Sequence, residues 1–291
     1  MPETALFDRV AIIGVGLIGG SIGLAIRRKG LARRVVGYAK SPDAVTAQAL
    51  GLIDEAADSA AAAVANADLI IVATPVTTIP AVFNEIASAI ASKALITDCA
   101  STKTSVIAAA RDALGEAFDR YVPGHPIAGS ELSGPAAARQ ALFDGKRWLF
   151  SPVTEGQRAN LDRLMQLAER IGARPAVLKA ELHDAMFGEY SHAPHALVYA
   201  VCLAVANGPH ADALADLAGA GFRDTTRIGA SSPPLWTDIL VDNAEPTVAS
   251  LDRISESLAL VREALVTGDR QALQAMIEQA SRWRAQLESD R

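Results

Sequence analysis

His125 and Glu131 bracket the segment His125-Pro126-Ile127-Ala128-Gly129-Ser130-Glu131, which Ser133-Gly134 follows. The segment begins just past an apparent strand end and is rich in glycine and proline. Side chains in such places project at the sheet edge where open parallel α/β folds bind ligands. A histidine there, with an unperturbed pKa of about 6.5, is a candidate general base for proton abstraction near neutrality. A turn histidine hydrogen-bonded to backbone is the competing reading. Ser101, at the end of Thr97-Asp98-Cys99-Ala100-Ser101-Thr102-Lys103, is expected at the same cleft. Its hydroxyl could bond a neighbouring imidazole and a bound cofactor, or cap the helix that begins near Thr104.

A second constellation lies near the N-terminus. Val10-Ala11-Ile12-Ile13 runs into Gly14-x-Gly16-x-x-Gly19 and then a helical pattern. Strand, glycine turn and helix together make the dinucleotide fingerprint specific. Gly14 permits the tight turn, Gly16 lets backbone approach a pyrophosphate, and Gly19 lets helix and strand pack closely. The amides of Leu17 and Ile18 then face phosphate charge at a helix start. About twenty residues on, an acid usually reads the ribose 2′-hydroxyl. Here the second strand ends Tyr38-Ala39-Lys40-Ser41. With Ala39 at the acid's place and Lys40 and Ser41 beside it, acceptance of NADP is expected, with NAD use retained. Thr74 and Val76, flanking Pro75 at the end of the third strand, are further candidate cofactor contacts.

The elements needed to position these groups can be read from the rest of the chain. Short β-branched runs (9–14, 34–39, 69–74, 95–99, 121–123 and 147–152) alternate with helical patterns such as 18–29 and 42–50. That alternation implies βαβ units, a Rossmann-type doubly wound parallel sheet. Leu161, Leu164, Leu167, Ala168 and Ile171 then fall at helical spacing before Gly172. A short strand over 173–178 is a further candidate, and from Ala180 the pattern is mostly helical. The expected fold is α/β, with a dinucleotide-binding domain over 1–153 and an all-α substrate and dimerisation domain over 154–291. Apolar helices such as 193–206, with small alanine faces, predict a homodimer built by the second half.

Composition narrows the field. The 291 residues are 50% hydrophobic and carry a formal charge of −6, which argues against general nucleic-acid or anionic-membrane binding. Two cysteines imply no disulfide framework and fit a reducing compartment. The N-terminal segment lacks a basic region before its apolar run, and 193–206 is too short to span a bilayer. A cytoplasmic protein acting on a small molecule is expected.

Taken in order, VAIIGVGLIGGS, TDCASTK, GHPIAGSELSG, SHAPH and GFRDTTRIGASSPPLW resemble the prephenate/arogenate (cyclohexadienyl) dehydrogenases of tyrosine biosynthesis, over nearly the whole chain. The resemblance implies oxidative decarboxylation of a cyclohexadienol with NAD(P). It implies that His125 is the catalytic imidazole on the ring 4-hydroxyl and that Ser101 holds it and touches the nicotinamide. Glu131 would shape and gate the pocket, His195 and Arg227 would meet the substrate carboxylates, and Trp236 would close one wall. Trp236 could also be plain core. His183 could simply bond within its helix. His192 and His195 stand three apart around Pro194 with no further ligand at zinc-like spacing, so no metal is expected. The chain's end at Arg291 leaves no room for an appended regulatory domain, so any tyrosine inhibition is expected to compete at the active site.

Overall fold

The computed structural model describes residues 5–40, 42–130, 132–211 and 217–289. The first half alternates strands and helices in chain order: β1 (Phe7–Ile13), α1 (Leu17–Arg28), β2 (Ala32–Tyr38), α2 (Asp43–Ala49), β3 (Glu55–Ala56), α3 (Ala60–Val64), β4 (Leu69–Val72), α4 (Ile79–Ile86), β5 (Leu95–Asp98), α5 (Thr104–Leu114) and β6 (Tyr121–Val122). These strands form one parallel sheet in the order β3-β2-β1-β4-β5-β6, the doubly wound Rossmann arrangement. Residues of β1 alternate between two cores. Val10 and Ile12 pack with α1 residues Ile22 and Ile26 on one face, and Ala11 and Ile13 with α4 residues Ile79 and Phe83 on the other. Coverage of both faces is why the strands are nearly continuous hydrophobic runs.

Beyond β6 the chain leaves this sheet. β7 (Gly124–Pro126), β8 (Arg147–Phe150) and β9 (Arg174–Val177) make a separate three-stranded sheet, with β7 antiparallel and β9 parallel to β8. Two expectations are corrected here. The run at 147–152 does not extend the doubly wound sheet. His125 lies inside a short strand, opposite Leu149, where ladder hydrogen bonds replace the freedom of a turn. Helix α6 (Glu155–Arg170) and β9 follow the expected junction near residue 153, yet α6 residues Leu164 and Leu167 belong to the same core as β1 and α1.

Helices then run to the end: α7 (Ala180–Phe187), α8 (Ala193–Ala206), α9 (Ala220–Thr226), α10 (Pro233–Asp242), α11 (Ala244–Thr267) and α12 (Arg270–Ser289). Between α7 and α8, residues Gly188–His192 form a wide π-helical turn, a feature that recurs at functional sites. The last two helices bury little, and Leu258, Leu260, Leu265, Val266 and Ile277 are exposed. Among the described residues, no helix is long and apolar enough to cross a membrane.

Candidate active site

The glycine turn joins β1 to α1. Gly14 takes φ +93°, where side-chained residues are strained, and a Cβ at Gly19 would lie 1.9 Å from the Gly14 carbonyl oxygen. A cleft of about 340 Å³ opens above it, lined by Gly16, Leu17, Ile18, Thr74, Val76 and Ser101, and it reaches His125 and Trp236. Two features fit a dinucleotide here. A Cβ on Gly16 would meet nothing within 4 Å, leaving a bare backbone cradle. Thr74 Oγ1 is buried without a hydrogen-bond partner among the described residues, an omission that costs about 1–3 kcal/mol unless a ligand supplies the bond. Ala39 is half-buried and Lys40 exposed just beyond β2, away from the cleft lining. Ser41 and Glu131 lie outside the described residues.

A second cavity of about 370 Å³ adjoins the first, and Ser101, His125 and Trp236 line both. Its other walls include Phe187, Ser191, His192 and Lys146. His125 therefore stands, with Ser101 and Trp236, where the nucleotide cleft meets a small-molecule pocket.

Two buried networks hold His125. Beneath it, Lys103 and Asp98 form an ion pair with both side chains fully buried. Lys103 Nζ also donates to the Gly124 carbonyl at 2.6 Å, and Tyr121 donates its hydroxyl to Asp98 Oδ2 at 2.6 Å. The Gly124 amide reaches the same carboxylate at 3.1 Å. The strand residue before His125 is thus bonded through both its donor and its acceptor.

Beside it, His125 Nδ1 lies 2.8 Å from His183 Nε2, and His183 Nδ1 lies 2.8 Å from Asp184 Oδ1. The Asp184 carboxylate also accepts from the Lys103 and Thr104 amides at 2.8 Å each. Burial acts to raise the Asp184 carboxyl, but hydrogen bonds from His183, Thr104 and Lys103 prevail and hold it below its ordinary value. An ionised carboxylate only accepts, so His183 Nδ1 carries the proton and its Nε2 accepts. His125 Nδ1 must then donate, which leaves the lone pair on Nε2. The His125 pKa is held well below its ordinary value by burial first, then by repulsion from His183, Lys103 and His192. The imidazole is neutral near pH 7, with its free basic nitrogen settled by its neighbours.

A similar argument orients His192. Asn243 Nδ2 donates to the Asp184 carbonyl at 2.9 Å and to His192 Nδ1 at 2.9 Å. Burial, with repulsion from His183, pushes the His192 pKa down to about 4. Neutral His192 therefore keeps its proton on Nε2, as a donor.

The remaining sequence candidates sit differently. His195 donates from Nδ1 to the Ser191 carbonyl at 2.8 Å and stacks on Trp236, with ring centroids 3.3 Å apart and planes at 17°. Burial lowers its pKa, the Ser191 bond opposes this, and Arg227 lowers it further, so Arg227 is within electrostatic reach. Arg227 is exposed, and neither it nor His195 lines the two cavities. Asp184, Asn243 and Lys103 were not among the sequence candidates, and His183, expected to bond within its helix, instead reaches His125 across the site. The adjacent His183-Asp184 pair was the available signal.

Residues 22–177 match the prephenate dehydrogenase nucleotide-binding domain, and residues 179–279 the prephenate dehydrogenase dimerization domain. A prephenate dehydrogenase of Bacillus subtilis (strain 168) is 37% identical over 255 residues, 86% of this chain and 67% of that protein. A cyclohexadienyl dehydrogenase of Zymomonas mobilis is 32% identical, covering 98% of each. The crystal structure of prephenate dehydrogenase from A. aeolicus with hydroxyphenyl propionate and NAD+ superposes with a TM-score of 0.88 at 30% identity, over 96% of this chain and 98% of that one.

Proposed function

The chain belongs to the prephenate dehydrogenase family, and from that premise we propose that it oxidatively decarboxylates prephenate, arogenate or both, with His125 as the base. The observation that carries this reading is the free His125 Nε2 at the junction of nucleotide cleft and pocket. A nicotinamide bound in the cleft supplies the acceptor for the hydride leaving ring carbon 4. His125 Nε2 takes the 4-hydroxyl proton, while its Nδ1–H stays bonded to His183. The new imidazolium is stabilised through His183 by the Asp184 carboxylate. Loss of the ring carboxylate as CO2 then aromatises the ring, a step steep enough to need no dedicated acid. The protein's task is orientation and charge placement.

In this reading Ser101 positions His125 and the cofactor, and His192 and Trp236 shape the pocket. Arg227 and His195 meet a substrate carboxylate from the helical side, and Glu131 gates the entrance. Gly14, Gly16, Leu17, Ile18, Gly19, Thr74 and Val76 hold the dinucleotide. Ala39 in place of an acid, with Lys40 and Ser41 beside it, favours NADP with NAD retained.

The test is steady-state kinetics with both substrates and both cofactors, on wild type and His125→Asn. The variant should keep cofactor affinity and lose kcat by a factor on the order of 10² or more. Unchanged turnover would refute the base assignment.

The exposed apolar faces of α11 and α12 and the match to a dimerization domain support a homodimer. Sedimentation at micromolar concentration should show it, and a stable monomer would exclude it.

A further inference from the structure

Two loops, at the C-terminal ends of β4 and β5, line the nucleotide cleft. Thr74, Pro75 and Val76 come from the first, and Cys99, Ala100 and Ser101 from the second. In a doubly wound sheet the cofactor lies at these strand ends. Helix α10 faces the two loops from the helical half of the chain. Its Leu235, Trp236 and Ile239 line the same cleft, and Ile239 is buried. Trp236 also lines the substrate pocket and stacks on His195. The position of α10 therefore bounds both cavities at once.

Two carboxylates tie this helix to the two loops. Asp238 accepts a hydrogen bond from the Thr77 hydroxyl at 2.8 Å, and Asp242 accepts one from the Ser105 hydroxyl at 2.6 Å. Thr77 directly follows the cleft-lining Val76, and Ser105 lies in the first turn of α5, just beyond the Ser101 loop. At about 100° per residue, Leu235, Asp238, Ile239 and Asp242 share one side of α10. The helix thus presents its apolar cleft wall and its two polar ties together. The next residue, Asn243, holds His192 and the Asp184 carbonyl, so one helix connects the cofactor loops with the wall of the substrate pocket.

The helical half has a separate anchor on the nucleotide half. Asp184 of α7 accepts from the Lys103 and Thr104 amides. The Thr77 and Ser105 bonds are exposed, and exposed polar contacts add little to stability. Their placement, one on each cofactor loop and both on the helix of Trp236, suits coupling better than anchoring.

We infer that Asp238 and Asp242 are positioning residues: bonded to Thr77 and Ser105, they hold α10 and Trp236 against the two cofactor loops, so that a dinucleotide in the cleft favours substrate in the adjoining pocket. The dinucleotide meets the loops, the loops hold the helix, and the helix bounds the pocket. By linkage, a ring in the pocket tightens the cofactor by the same factor. The inference rests on the dehydrogenase reading above.

The test uses the full chain carrying Thr77→Val with Ser105→Ala. These changes remove both donors and leave the carboxylates, including Asp242, which acts electrostatically on His192. Calorimetry measures the Kd of 3-(4-hydroxyphenyl)propionate with and without saturating NADP+ or NAD+. The dinucleotide should tighten the propionate about tenfold in wild type and less than about twofold in the double variant. Each ligand alone should bind within about twofold of wild type. A second variant, Thr77→Ser with Ser105→Thr, keeps both hydroxyls and should retain the tightening. No tightening in wild type, its survival without the hydroxyls, its loss in the conservative variant, or equal weakening of both ligands alone would each overturn the inference. Melting temperatures matching wild type confirm that the variants fold. A wild-type protein that turns over neither prephenate nor arogenate would defeat the dehydrogenase reading, whereas turnover without the tightening would defeat this inference alone.

Discussion

The floor and the wall around His125 are both buried polar networks, but they are built from different chemistry. The floor, made of Asp98, Lys103, Tyr121 and Gly124, lies at the ends of β5, β6 and β7 and is a carboxylate–ammonium pair closed by hydrogen bonds. The wall, made of Asp184, His183, His192 and Asn243, comes from the helical side and contains two neutral imidazoles. The floor fixes where the base sits. The wall fixes which of its nitrogens holds the proton. A network of permanent charges suits the first task because it does not change with the reaction, whereas the second needs groups able to take part in a proton's movement.

The largest expected effect that separates the two is on stability. Lys103→Met leaves the fully buried Asp98 without its cation, and breaking such a pair costs about 3–5 kcal/mol. Urea unfolding should show that loss in the midpoint. A variant as stable as wild type would mean that the floor is not a structural ion pair.

Asp184→Asn attacks the wall. The amide can no longer accept from His183, Lys103 and Thr104 together, and His183 is free to change tautomer. A drop in kcat of roughly 10² or more is expected, as for other tautomer-fixing carboxylates, with cofactor affinity retained. If kcat and stability fell in proportion, the floor and the wall would have the same role.

The smallest effect in this series is the pH profile of wild type. His125 must be neutral to accept a proton, and its folded pKa lies well below 6.5, through burial and then the repulsion of His183, Lys103 and His192. Activity should therefore hold as pH falls through 6.5 and decline only at more acidic values. An acid limb centred at 6.5 or above would contradict the wall's electrostatics.

Much of this was legible in the sequence because it depends on local rules. The glycine turn, the alternation of strands and helices, and the early placement of His125 and Ser101 follow from spacing alone. The strand around His125 was not legible, since three residues carry too little periodicity and their partner, β8, is supplied from 21 or more residues away. The relay was hidden for a similar reason. His183 meets His125 across 58 positions, and within its own helix it looks like any polar residue. The Lys103 side chain could be quoted as part of a motif, but its burial under Gly124 depends on the turn between β6 and β7.

The π-helical turn at Gly188–His192 bears on chain length more than on composition. In a regular α-helix each residue adds about 100° of rotation. The wide turn sets the angular phase between the His183-Asp184 end of this helical run and the His192 end, so that both reach Asn243. Removing a single residue from that turn would swing His192 and His195 away by about 100° while leaving every side chain of the site in the sequence. The helical run from α7 to α8 should accordingly tolerate conservative exchanges far better than insertions or deletions.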